Sequence, residues 1–380
     1  MSLRAAITLS RRTLPAFAAE GVCWGAFAAY TPQIKHHIGA SDAEYGFALL
    51  FGAIGGITAM ALAPRFDRLM GRRAMALAAL ILIAAFQPTI WTGSLAFFAL
   101  FMVFTGAAAG LLDVVMNARL AGIEAKSGAS LMNLNHAVFS FAYAGAALST
   151  GLARDAGVSV STSFAVLALV VLGLAVAAIQ RELPKGRVAP PATKLRTGAV
   201  AFWGGGIILV GFLAEQATEA WSALHVERTL GGGAAEGAMG PAMLGLTMGV
   251  GRLAGQFATA RLNEARIVTL AALLSAAGAL TAALAPTPAV AYLGFGLLGL
   301  GVSVIAPMCF ALIGRLSPPE ARATAISRAA MVGYAGFFIG PPLMGGLSQA
   351  FSLPMAFVAV AILLALCPLL LLPLRDARPN

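Results

Sequence analysis

Four carboxylates stand where carboxylates are costly. Of the 15 acidic residues in the chain, Glu20, Asp113, Glu215 and Glu219 fall inside long apolar runs, and so does one guanidinium, Arg252. A charge at mid-bilayer costs about 3 kcal/mol or more, so such a group faces a polar interior and carries a role there. Gly106, Gly110, Asp113 and Asn117 recur at spacings of 4, 3 and 4, which puts all of them on one helix face. The small residues let a neighbouring helix approach closely, and the stripe then turns polar. The next run opens with Asn133, Asn135 and His136, and Ser140 follows. Counted back from an intervening loop of about a dozen residues, His136 is expected level with Asp113, and Asn133 with Asn117. A carboxyl beside an imidazole can pass a proton, because histidine titrates near neutrality. The same groups also fit a second reading, a hydrogen-bonded clamp between two helices.

Glu215 and Glu219 lie one turn apart, and two carboxylates that close share protons more readily than isolated ones. Glu219 reads either as a member of this pair or as a side chain snorkelling to the membrane surface. Trp221 reads as a solute contact or as an interfacial anchor. Glu20 has Trp24 at i+4, and the apolar face of a sugar can lie on an indole ring. For Arg252 three partners compete: an acid, backbone carbonyls, or an anionic solute. His36 and His37 are read as solvated in a short loop, not as metal ligands. The three cysteines, Cys23, Cys309 and Cys367, sit in apolar runs at no metal-ligand spacing. No metal, cofactor or disulfide is expected.

These side chains must be carried by membrane helices. The chain has 380 residues, 59% hydrophobic and 11% charged, with a mean hydropathy of +0.87. A soluble domain carries about a quarter of its residues as charges. Apolar spans are read at 13–34, 45–64, 74–92, 94–118, 131–153, 159–180, 198–224, 237–260, 267–285, 288–313, 323–347 and 353–374. Twelve spans of roughly 20 residues use about 240, too much to leave room for a separate catalytic domain. Gln87-Pro88, Pro286-Thr287-Pro288 and Ser317-Pro318-Pro319 punctuate the joints, and Pro307 and Pro341-Pro342 are expected to kink spans 10 and 11. The first span lacks a small-residue cleavage site and holds Glu20, so it is read as retained.

Of the 25 basic residues, all but Lys35, Arg154, Arg228 and Arg252 fall on the tails and even-numbered connections. That bias predicts both termini in the cytoplasm. It also removes the nucleic-acid reading of a pI near 10.3, since the charge forms no single patch. The longest connection, 181–197, divides the chain into a bundle at 1–180 and another at 198–380. The expected fold is all-α and integral to the membrane: twelve helices in two pseudo-symmetric six-helix bundles. A faint repeat supports it, Glu20 with Trp24-Gly-Ala against Glu215 with Trp221-Ser-Ala.

The connection after span 2, Arg65-Phe-Asp67-Arg68-Leu-Met-Gly71-Arg72-Arg73, is similar to the signature of the major facilitator superfamily. Ala63 stands where that signature has its leading glycine, and one extra residue precedes Gly71. The second half keeps Gly251-Arg252-Leu-Ala-Gly255. Asp113 with Asn117, followed by Asn133 to His136, resembles the proton-coupled fucose permeases, whose span-4 acid matches Asp113. Their span-1 acid falls on Ala28 here. Trp24 to Lys35, Glu215-x-x-x-Glu219-x-Trp221-Ser222 and Gly340-Pro341-Pro342 resemble a bacterial branch that includes a rhizopine-transport protein.

The resemblance implies a monomeric secondary transporter of the bacterial inner membrane, not an enzyme. Its partners would be the lipid bilayer, protons and a small polar metabolite such as a sugar or polyol; the rival reading is a proton-driven exporter of metabolites or drugs. It implies proton coupling by Asp113, and the placement of His136, Glu215 and Glu20 within the spans makes them the further candidates for that role. Substrate contacts would come from Asn117, Glu20, Trp24, Asn133, Glu215, Glu219 and Trp221. A gate would be built from Asp67, Arg68, Arg72, Arg73, Arg119 and Arg252, with Asp67 facing Arg119 and the helix start near Arg322. The chain has no Walker A, HExxH or Gly-x-Ser-x-Gly sequence.

Overall fold

Runs this apolar can satisfy their backbone in a bilayer only as helices, and helices account for every long element of the computed structural model, which describes residues 2–180, 198–258 and 263–375. A short α1 (Leu3–Ser10) precedes twelve long helices: α2 (Leu14–His37), α3 (Asp42–Met70), α4 (Ala74–Trp91), α5 (Leu95–Ser127), α6 (Met132–Asp155), α7 (Val160–Ala178), α8 (Gly198–Leu224), α9 (Ala234–Ala258), α10 (Glu264–Ala283), α11 (Pro288–Leu316), α12 (Arg322–Ala350) and α13 (Leu353–Leu366). A 3-10 turn (Cys367–Leu371) and α14 (Leu372–Arg375) continue α13. The connection expected at 181–197 lies outside the described residues, as does Arg261.

Several helices run past the expected apolar limits. Helix α3 continues to Met70 and stops at Gly71, whose φ of 53° suits a residue without Cβ. Helix α5 continues to Ser127, and Glu124 then accepts from the backbone N–H groups of Leu131 and Met132, at 2.5 and 2.9 Å. Pro88 sits inside α4 and does not mark its joint; so near the helix end it removes a single ladder bond. His36 and His37 form the exposed last turn of α2 and not a loop.

Eight stretches of the described residues are long and apolar enough to cross a membrane, with Asp42–Trp91 counted as one. The less apolar α2, α6 and α9 are absent from that set, and α6 packs against both of the others. Polar residues of α2 and α6, among them Glu20, Asn135 and Ser140, are buried inside the protein.

Packing in the first six long helices recurs in the last six. Helix α2 pairs with α6, α3 with α5, and α4 with α5 and α7; correspondingly α8 pairs with α12, α9 with α11, and α10 with α11 and α13. The two sets meet mainly along α6–α9 and α3–α12, with α2 touching α8 between them. Gly52 and Gly56 of α3 abut Gly106 and Gly110 of α5, so closely that a methyl on Gly106 would overlap the Gly52 carbonyl. The stripe read from the sequence does seat a neighbouring helix. We call the membrane face carrying the start of α2 the terminal face, and the opposite one the distal face.

Candidate functional site

A line of polar side chains runs between the two helix sets. On α5, the Asn117 amide nitrogen donates to Asp113 Oδ1 at 2.8 Å and to the Asp113 carbonyl at 2.9 Å. The Asn117 amide oxygen meets His136 Nε2 of α6 at 3.3 Å, and since that oxygen only accepts, the imidazole donates. The ring of Phe17 stands edge-on to His136 at 4.9 Å. His136 is therefore level with Asn117, one turn from its expected place beside Asp113. The physical reason is the loop: α5 stays helical to Ser127 and α6 starts at Met132, so the connection is shorter than counted. Asn133 does not join this line. Asn135 does the clamping instead, accepting from Thr13 Oγ1 at 2.8 Å and donating to Ser10 Oγ at 3.0 Å, which ties α6 to the start of α2.

Arg252 of α9 crosses to the other set. Its guanidinium donates to the His136 carbonyl at 3.1 Å and to Ser140 Oγ, while its other terminal nitrogen lies 3.3 Å from Glu215 Oε1 of α8. An ion pair and a backbone carbonyl thus satisfy it together. Glu219, one turn beyond Glu215, interacts electrostatically with Glu215 and Arg252, and Glu20 of α2 with both Asp113 and Glu219. Charge interaction thus links Glu20 to Asp113 and Glu219, and Glu219 to Glu215.

The aromatic residues divide. Trp24 packs edge-on against Phe27 and Phe86, at 5.8 and 5.1 Å. Trp221 is wholly buried and meets Tyr45 of α3 edge-on at 5.8 Å, so it is no interfacial anchor. Sequence reasoning missed two tyrosines. Tyr143 of α6 is buried with its hydroxyl unpartnered, within electrostatic range of Glu215 and Glu219. Tyr334 of α12 interacts with Asp113.

On the terminal face, Arg119 of α5 donates to Asp67 of α3 at 2.6 and 3.1 Å and to the Gly71 carbonyl at 3.3 Å. The expected Asp67–Arg119 pair forms, within the first set. The α12 start is not its partner here: Arg322 donates to the Gly314 carbonyl at 2.7 Å instead. Arg72 and Arg73 are exposed and line a cavity with Arg12 and Gln180, and Arg68 is exposed.

On the distal face, side chains not singled out for chemistry join the two sets. Arg228 donates to both carboxylate oxygens of Asp42 at 2.7 Å, and Lys35 lies 2.9 Å from the same acid. Arg154 holds Glu227 at 2.8 and 3.3 Å. A signal was available: Lys35, Arg154 and Arg228 are the basic residues that break the charge bias.

Residues 13–296 and 220–380 match the model of the Major Facilitator Superfamily. An uncharacterized MFS-type transporter of Yersinia pestis is 31% identical over 354 residues, covering 92% of this chain and 91% of that protein. The membrane protein MosC of Rhizobium meliloti is 26% identical over 379 residues, covering 96% and 90%. Among solved structures, a bacterial homologue of the lysosomal transporter Spinster, inward-facing and occupied, superposes with a TM-score of 0.76 at 15% identity, covering 100% and 99% of the two chains. A variant of the E. coli fucose:proton symporter FucP gives a TM-score of 0.63 at 16% identity, covering 100% and 99%. The fold is theirs, the sequence match extends over nearly the whole chain, and the protein belongs to the Major Facilitator Superfamily of membrane transporters.

Proposed function

We propose that this transporter moves a small polar metabolite, of the sugar or polyol kind, coupled to protons and by alternating access of two six-helix bundles, residues 1–180 and 198–380. It would work as a monomer in the bacterial inner membrane with both termini in the cytoplasm. One observation carries the reading: the Asp113–Asn117–His136 line and the Arg252–Glu215 pair face each other across the seam where the two sets meet. A carboxyl in such a seam can load a proton when the seam is wet on one side and release it on the other. Asp113 is the coupling acid, with His136 orienting its partner Asn117 and available as a proton acceptor, and Glu215 and Glu20 are the second line.

Asn117, Glu20, Glu215 and Glu219 offer hydrogen-bond acceptors to hydroxyl groups, Asn117 and Asn133 offer amide donors, and Trp24 and Trp221 offer ring faces. Arg252 gates the seam, because it holds α6 and α8 at once. Asp67, Arg68, Arg72, Arg73 and Arg119 form the terminal-face gate, and Asp67 would exchange partners when the sets close there. The fucose:proton symporter supports the reading as a neighbour in fold.

Purified protein in liposomes tests it. A panel of labelled sugars and polyols should include one that accumulates with an imposed pH gradient and only equilibrates without one. Efflux of preloaded solute driven by inward proton flow would identify an exporter instead. No proton-dependent movement of any solute in either direction would overturn the coupling.

A further inference from the structure

Helix α8 does not end in an ordinary turn. After Leu224 the chain makes one π-helical turn, His225–Thr229, before α9 begins. Such wide turns are uncommon and cluster at functional positions. Two adjacent residues of this turn, Glu227 and Arg228, carry opposite charges and engage opposite partners. Glu227 accepts from Arg154 at the end of α6, and Arg154 is held in turn by the Ala29 carbonyl at 2.6 Å and lies over the Tyr30 ring at 5.7 Å. Arg228 forks onto Asp42, the first residue of α3, and also reaches Ser348 of α12 at 3.1 Å. Asp42 further accepts from Ser348, and its backbone N–H donates to Gln349 at 3.2 Å.

Both contacts cross from the last six helices to the first. Their polarities are reversed: the first set supplies the base in one and the acid in the other. Adjacent residues of one rigid turn cannot release their partners independently, so the two contacts form and break together. Behind them the seam holds buried polar groups with no partner, among them Tyr143 Oη, beside α9, and Trp221 Nε1, beside Tyr45 of α3. Each gains hydration if the seam opens, so burial of these groups favours opening while the charges oppose it. The Asp42–Arg228 pair lines a distal cavity of about 620 Å³ with Lys35, Ser348 and Gln349, where solutes on that side can reach it.

We propose that the Glu227-Arg228 turn is a two-pronged clasp that holds the distal face shut, and that breaking either prong shifts the protein towards a distally open state. The proposal rests on the alternating-access reading, but its test needs no substrate.

Spin labels at Ser159→Cys and Thr287→Cys, exposed distal positions on the two sets, would report their separation by double electron–electron resonance in nanodiscs, with Cys23, Cys309 and Cys367 replaced by alanine. The parent should show mainly the short distance. Glu227→Gln and Asp42→Asn, one for each prong, should each raise the long-distance fraction at least threefold, and the two together should add little. The exchange Arg154→Glu with Glu227→Arg should restore the parent distribution, while Glu227→Arg alone should open it further. An unchanged distribution in both single variants, with protein that still elutes as a folded species, would overturn the clasp. So would failure of the exchanged pair to recover the short distance. Absence of proton-dependent solute movement by the parent protein, with the distances behaving as described, would instead count against the coupling scheme and leave the clasp standing.

Discussion

Arg252 and Glu215 lie 3.3 Å apart on neighbouring helices of one set, and the same guanidinium also bonds the His136 carbonyl of the other. The pair is therefore structural and mobile-seam chemistry at once: it stabilises α8 against α9 and lends its charge to the facing acids. Both side chains are mostly buried, at 14% and 13% exposure.

Arg252→Met leaves Glu215 without its cation. The loss expected for a buried pair broken on one side is about 3 kcal/mol. Arg252→Met with Glu215→Gln should recover more than half of it, because no orphan charge remains. Thermal unfolding in detergent checks this; strictly additive losses would show that the two do not interact.

Gly106→Ala tests the helix seam that positions Asp113. The added methyl would meet the Gly52 carbonyl, which belongs to backbone and cannot swing away. A stability loss of about 1–3 kcal/mol is expected. Gly145→Ala, where a Cβ has open space, should be neutral or slightly stabilising in the same unfolding measurement.

Asp67→Asn keeps an acceptor oxygen but removes the negative charge facing a nearly buried guanidinium, since Arg119 is 8% exposed and Asp67 29%. Because the pair lies within the first set, a stability loss of about 1 kcal/mol is expected with the distal label distances unchanged. A shift of those distances would mean that the loop already contacts the second set in this state.

Hydropathy alone made the twelve helices legible, and it failed where helices leave the bilayer but stay helical. From Ala118 to Ser127 the charges of Arg119, Glu124 and Lys126 interrupt the apolar run of α5, so its true end, and with it the register of His136, was out of reach. Asp113, Asn117 and Arg252 were legible because charged and amide groups inside apolar runs are so costly that they identify themselves. Tyr143 and Tyr334 were not, since a tyrosine in a membrane helix is ordinary and only its unpaired hydroxyl or its neighbours distinguish it. The clasp was legible only in part. Lys35, Arg154 and Arg228 stood out against the charge bias, but their partners come from distant turns, and a π-helical turn has no sequence signature.

Glu20→Gln asks whether a second acid shares the proton load. No acid stands at Ala28, so Glu20 and α8 are the candidates. If Glu20 is in the second line, concentrative uptake should fall about tenfold, or by about 1.4 kcal/mol in driving free energy, with exchange preserved. Full activity would move that role to Glu215.

The central claim is that Asp113 couples proton and solute. In proteoliposomes loaded with the transported sugar or polyol, Asp113→Asn should abolish accumulation against a gradient while leaving exchange between equilibrated compartments within about threefold of the parent, since the amide keeps the hydrogen-bonding line to Asn117 but binds no proton. Uphill accumulation by Asp113→Asn at the parent's level would contradict the account.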